Sequence, residues 1–146
     1  MGERFWEQHV IQATLCLPVD AFMKLDEIVS ILEGSLISSN VDLDIEVSCA
    51  GAADLMSDVL AFSEPGSVLL TGLCNPQVVR TAEMADIAAI IFVRGKYPPL
   101  ETISLAAEKG IPLVATSHAM FEMCGRLHRT GLRSCDISCR IRRDDP

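Results

Sequence analysis

At 146 residues the chain has the size of one domain, and 49% of it is apolar, enough to bury a core without disulfide or metal staples. A formal net charge of −8, from 20 acidic against 12 cationic side chains, argues against nucleic acid or an anionic membrane as the main partner. Mean hydropathy is +0.32, yet no apolar run approaches the roughly 18 residues of a membrane span, so the surplus points to an oligomer interface.

Residues 1–22 show no sustained periodicity. "VIQATLCLPV" has an apolar centre, but acidic Glu3 and Glu7 accompany Arg4 ahead of it, unlike a signal peptide. The segment reads as an N-terminal extension, with Met23 as a second candidate start, because the helical pattern begins directly after it.

Leu25, Ile28, Val29 and Leu32 fall on one face of a helix, and Gly34 stands where a left-handed C-cap belongs. Val41, Leu43, Ile45 and Val47 alternate with Asp42, Asp44, Glu46 and Ser48, which predicts a strand at a sheet edge or in a separate small layer. "AGAADLMSDVLAF" predicts a second helix with Ala52, Met56, Val59 and Leu60 on one face and Asp54 and Asp58 together on another, ending at "SEPGS".

Three continuous apolar runs follow, "SVLLTGL", "IAAIIFV" and "IPLVATS", each leading through a polar or glycine-containing turn into a helical stretch. Strands without alternation are buried on both faces, the parallel-sheet signature. Asn75-Pro76 reads as N-cap and N1 of a helix to about Ala85, and Pro98 or Pro99 opens another that ends near Lys109-Gly110. The last helix runs from about Ala119 to His128, with Gly131 beyond its end. The order gives an α/β fold: an open parallel-sheet sandwich with an added edge strand and helices on both faces, its strand exits forming one rim.

The C-terminal stretch "LRSCDISCRIRRDDP" is aperiodic and reads as a basic, loose tail from residue 133. Six of the 12 cations, but only three of the 20 acids, fall in residues 126–146. The six cysteines, at 16, 49, 74, 124, 135 and 139, have no regular spacing and read as reduced thiols of a cytoplasmic protein.

Across "MKLDEIVSILEG", "LMSDVLAF", "VLLTGLCNPQVVRTAEMADIAAIIFVRGKYPP" and "AAEKGIPLVATSHAMFEMCGRLHRTGL", the chain resembles the DRTGG domain family over residues 23–132. It is most similar to small stand-alone DRTGG proteins of anaerobic bacteria, and less so to the copies in regulatory inorganic pyrophosphatases and phosphotransacetylase-type proteins. The resemblance implies a DRTGG-like α/β domain without catalysis of its own, one that tends to pair with a second copy and accompanies nucleotide-sensing CBS domains in larger members. Where many members carry Asp-Arg after the first glycine, this chain has Leu73-Cys74 after Gly72; where they end the next strand in Thr-Gly-Gly, it has Val93-Arg94-Gly95.

The rim comprises Thr71, Gly72 and Asn75, then Arg94, Gly95 and Lys96, then Thr116, Ser117 and His118. Read as a ligand site, Arg94 and Lys96 pair with a phosphate, Asn75, Thr116 and Ser117 hydrogen-bond, and His118 senses charge. The simpler reading makes Asn75 and Ser117 ordinary N-caps and Gly95 a tight turn, and it carries the greater weight. No G-x-G-x-x-G or G-x-x-x-x-G-K-[ST] is present, and Pro98 and Pro99 remove two N–H donors that would cradle an anion. Asp54 and Asp58 lack a third ligand nearby and read as a solvated face. Cys135 and Cys139, with Cys124 and His128 near in sequence, are a weak metal or redox candidate. No G-x-S-x-G or convincing triad appears.

The leading expectation is a non-enzymatic, cytoplasmic regulatory or adaptor domain without cofactor, binding a small anionic ligand or nucleotide at the rim, with a partner protein or a small phosphorylated ligand as candidate partners, and pairing as a homodimer through Met120, Phe121, Met123 and Leu127. Its rivals are a nucleotide- or metabolite-sensing enzyme-like protein and a metal or redox protein built on Cys135 and Cys139.

Overall fold

The computed structural model describes residues 22–135. Residues 1–21 and 136–146, with Cys139 and most of the basic tail, lie outside the described residues.

In chain order the elements are β1 (Met23–Lys24), α1 (Leu25–Ile31), β2 (Ser35–Leu36), β3 (Glu46–Val47), β4 (Ala50–Ala52), α2 (Met56–Phe62), β5 (Val68–Thr71), α3 (Pro76–Met84), β6 (Ala89–Phe92), α4 (Leu100–Lys109), β7 (Leu113–Ala115) and α5 (Met120–Arg129). The main sheet has the order β2-β7-β6-β5-β4, with β4 to β7 parallel and β2 antiparallel at one edge. β1 and β3 form a separate antiparallel pair.

The apolar runs form the centre of the sheet, and the pleat divides their side chains between two cores. Val68, Leu70, Ala89, Ile91 and Val114 pack with Leu25, Ile28 and Leu32 of the α1 region and with Met123 and Leu127 of α5. Leu69, Ile90, Phe92 and Leu113 pack on the other face with Met56 and Val59 of α2, Val78, Val79 and Ala82 of α3, and Ala106 of α4. Because β4, β5, β6 and β7 are neighbours in sequence order, crossovers of one hand put α2, α3 and α4 on a single face.

Four local expectations are corrected. The alternation over 41–47 is real, in that Val41, Leu43 and Ile45 pack against the core, but only Glu46–Val47 is strand. Asp42 turns the chain by accepting the Asp44 N–H through Oδ1 at 2.9 Å, a side-chain bond that competes with a ladder. The carbonyls of Ile45 and Leu43 instead accept the N–H groups of Leu25 and Asp26 at the start of α1.

The added edge strand is Ser35–Leu36, which the sequence did not mark. The second helix begins only at Met56, because Ala50–Ala52 is a parallel strand beside β5; Ala52 therefore belongs to the sheet, and Leu60 is 45% exposed. Glu33 (φ 50°), not Gly34, takes the left-handed position after α1. Gly34 is needed for space: a Cβ there would lie 2.6 Å from Val114 Cγ1.

Residues 133–135 run along the outer edge of β4. Ala50 donates to the Arg133 carbonyl at 2.9 Å, Cys135 donates to the Ala50 carbonyl at 3.0 Å, and Ser134 bridges Ala50 in parallel.

Gly34→Ala is expected to destabilise the fold by about 1–3 kcal/mol in urea titration, since Val114 is buried and its β-branched side chain is stiff at χ1. In a double-mutant cycle with Val114→Ala the two costs should be less than additive.

Candidate functional site

The rim is built where β4, β5, β6 and β7 hand over to their helices. Its centre is Asp54, in the loop after β4. Asp54 Oδ1 accepts the Gly72 N–H at 2.7 Å and the Thr71 hydroxyl at 3.1 Å, while Oδ2 takes Arg94 Nη2 at 3.2 Å. The Gly72 N–H above all, with help from Arg94 and Thr71 and against partial burial, holds the Asp54 carboxyl below the usual aspartate range. The Arg94 guanidinium lies directly on Gly72, where any Cβ would overlap Nη2.

Asp54 therefore leaves the helix face on which the sequence paired it with Asp58. The small residues Ala50–Ala52 ahead of it carry no strand pattern, yet they pair in parallel with β5, which makes Asp54 a strand-exit residue like Gly72 and Arg94.

The turn after β6 answers whether "VRGK" can cradle an anion. Arg94 (φ 61°) and Gly95 (φ 68°) are both left-handed, and Lys96 N–H returns to the Val93 carbonyl at 3.2 Å, the pattern of a primed type I turn. Arg94 N–H donates to the His118 carbonyl at 2.7 Å and Gly95 N–H to the Thr116 carbonyl at 3.0 Å. Three successive donors are thus consumed by the protein itself, and Pro98 and Pro99 have none. What the turn offers a ligand is side chains.

Thr116 is structural: its buried hydroxyl donates to the Leu32 carbonyl at 2.9 Å. His118 Nε2 lies 3.3 Å from Glu33 Oε2, and Glu33 Oε1 takes Arg126 Nη1 at 3.1 Å. His118 first and Arg126 second keep the Glu33 carboxyl below its ordinary range. Neither Asn75 nor Ser117 caps a helix by its side chain; Asn75 occupies the N-cap of α3 without a capping bond, and the N-cap of α5 is Ala119. Among the described residues Lys96 has no ion-pair partner and is exposed.

The structure thus brings Thr71, Gly72 and Arg94 together around Asp54, and ties Arg94, Gly95, Thr116 and His118 through backbone. Asn75, Lys96 and Ser117 stand around them without joining the network. Asp54, Glu33 and Arg126 are the three members the sequence reading missed.

On the residues expected at a dimer interface, Met123 and Leu127 are buried in this chain's own core, Met120 is half-buried against it, and Phe121 is 91% exposed. Phe121 stands at a groove of about 600 Å³ between α2, α5, β4 and residues 132–135, lined also by Val59, Phe62, Cys124 and His128. No group of three or more metal-ligating side chains occurs among the described residues.

The sequence profile of the DRTGG domain matches residues 27–130. The chain belongs to the DRTGG domain family. Among solved structures, the CBS and DRTGG domains of the regulatory region of Clostridium perfringens pyrophosphatase, complexed with the activator diadenosine tetraphosphate, match with TM-score 0.65 and 18% identity. The match covers 82% of this chain and 55% of that one, so this DRTGG chain spans about half the length of that neighbour. No protein with a curated description matches it. At this identity the likeness establishes a shared fold, and it agrees with the mixed α/β sandwich with a mostly parallel sheet described above.

Within this DRTGG domain the Asp54 knot has a pH signature. Its folded pKa is lowered, so its contribution is complete above the ordinary aspartate pKa and is lost as pH falls through the folded value. Asp54→Asn should cost about 1 kcal/mol at neutral pH in chemical denaturation, the half-exposed ion pair adding little through water. The same variant should flatten the loss of stability that wild type shows in that acidic window.

Proposed function

We propose that this DRTGG domain is a non-enzymatic regulatory or adaptor module that binds a small anionic ligand, such as a nucleotide or phosphorylated metabolite, at the rim through Arg94 and Lys96. The observation that carries the reading is the backbone of Arg94. An arginine held at φ 61° is a local cost that the fold maintains, and such positions concentrate at functional sites. Glu33 (φ 50°), the second strained side chain of the rim, sits beside His118 on the far side of the same turn.

The chemistry is that of an occupied clamp. Asp54 is an internal anion already resting on Arg94 and the Gly72 N–H, so an incoming phosphate competes with it for Arg94 while the unpaired Lys96 supplies the first attraction. The four parallel strands run in unbroken order and lack the reversal at which open sheets form a deep crevice. The ligand therefore binds on the rim, by charge, and not in a cleft of the dinucleotide kind. The domain of the pyrophosphatase neighbour lies in a regulatory region solved with a nucleotide activator, which supports a regulatory role for this one.

Two copies pair through α5, around Phe121. The support is Phe121, a large apolar side chain 91% exposed on α5. The cytoplasm is the compartment this reading assigns.

A thermal-shift panel of adenine nucleotides and phosphorylated metabolites tests the ligand, because a compound selective for the folded state raises its melting temperature. The active compound should bind on the order of tenfold more weakly to Arg94→Ala and to Lys96→Ala; unchanged binding to both rejects the rim. For the pairing, sedimentation should show a dimer at tens of micromolar that Phe121→Glu converts to monomer, and a wild-type monomer would sink it.

A further inference from the structure

Cys49 and Cys135 lie far apart in sequence, yet their Sγ atoms are 2.9 Å apart, closer than sulfurs resting in ordinary van der Waals contact. Both side chains are buried. The contact is made by the edge pairing described above: Cys135 N–H bonds to the carbonyl of Ala50, the residue that follows Cys49. A pair that merely filled the core would need no such approach, since buried cysteine packs as a small hydrophobe.

The two thiols are not equivalent. Cys135 lines the groove beside α5, whereas Cys49 is fully enclosed and does not. The charged groups facing them are Glu64 and Arg133. Arg133 Nη2 holds Glu64 Oε2 at 3.0 Å, and Cys49 Sγ lies 3.7 Å from the same oxygen. The hydrogen bond from Cys49 is the first cause that lowers the Cys135 thiol, while the same bond, with burial, raises Cys49. The groove-lining member is therefore the nucleophile and the enclosed member keeps its proton.

We propose that Cys49 and Cys135 are a reversible redox site that a small peroxide, entering by the groove, converts to a disulfide. The Cys135 thiolate attacks one peroxide oxygen; the O–O bond breaks, hydroxide leaves and takes a proton to become water, and Cys135 becomes a sulfenic acid. Cys49 sulfur then attacks that sulfur; the S–S bond forms, the S–O bond breaks, and the oxygen leaves as water with the proton of Cys49. Two thiols lose two electrons in all, and one hydrogen peroxide becomes two waters. The disulfide clamps the 133–135 strip to the edge of β4 and fixes the point from which residues 136–146 continue. It involves neither Arg94 nor Lys96 and stands apart from the ligand reading.

The experiment treats the full-length reduced protein with equimolar hydrogen peroxide, alkylates the remaining thiols and maps the peptides under non-reducing conditions. The expected product joins Cys49 to Cys135, disappears with reductant, and raises the melting temperature by roughly 10 °C, as closing a long loop should. A link from Cys135 to Cys139, to Cys124 or to a second chain would overturn the assignment, as would Cys135 recovered as sulfinic acid or six alkylated thiols. Cys49→Ser should lose the link and leave Cys135 to over-oxidise. Should that variant not fold, the wild-type map decides alone.

Discussion

Thr116 is the residue on which the geometry of the rim rests. Its N–H bonds to Phe92, its carbonyl takes the Gly95 N–H, and its hydroxyl reaches across to the Leu32 carbonyl at the end of α1. One buried threonine at the exit of β7 thus fixes the turn after β6 and joins the sheet to the helix layer beneath it. The strain at Arg94 is sustained by this arrangement, because the Arg94 and Gly95 N–H groups have fixed carbonyls to meet. A valine at 116 would keep the volume and the two backbone bonds, but would leave the Leu32 carbonyl without its partner in a buried place.

The electrostatics of the rim follow from that frame. The chain is strongly acidic, yet the rim gathers cations: Arg94 and Lys96 on one turn, and Arg126 of α5 on the Glu33 carboxylate that it shares with His118. Two carboxylates, Asp54 and Glu33, are held against them, so much of the positive charge is balanced within the protein. Arg126 also donates to the Ile31 carbonyl, where it meets the negative end of α1. Among the described residues of the rim only Lys96 is left over, which makes it the natural point of first contact for an anion.

What the sequence made legible was set by how strongly each segment is constrained. "VLLT" and "AIIF" are buried on both faces, and no other element accommodates four such residues in a row. Asn75-Pro76 and Lys109-Gly110 marked helix ends because proline and left-handed glycine act through their own backbone. Ala50–Ala52 and Ser35–Leu36 were missed because small or polar residues at a sheet edge carry no pattern; their strand character comes from the neighbour they pair with. The same blindness hid Asp54, whose position is a consequence of the β4 strand. The two turn glycines were visible, but that Gly72 exists to seat the Arg94 guanidinium needs the third dimension.

The order of the strands has a further consequence. Each of the pairs β4-β5, β5-β6 and β6-β7 joins successive segments, so each closes a short loop of chain and costs little entropy to form. The antiparallel β2-β7 pair and the bridge between Ala50 and Ser134 are different, since each closes a loop spanning most of the domain. The inner β-α units form a locally connected body, and the two edges are added at the greatest entropic cost. In hydrogen exchange the domain should thus open from both edges inward, its central β5 and β6 amides protected to the limit of global unfolding.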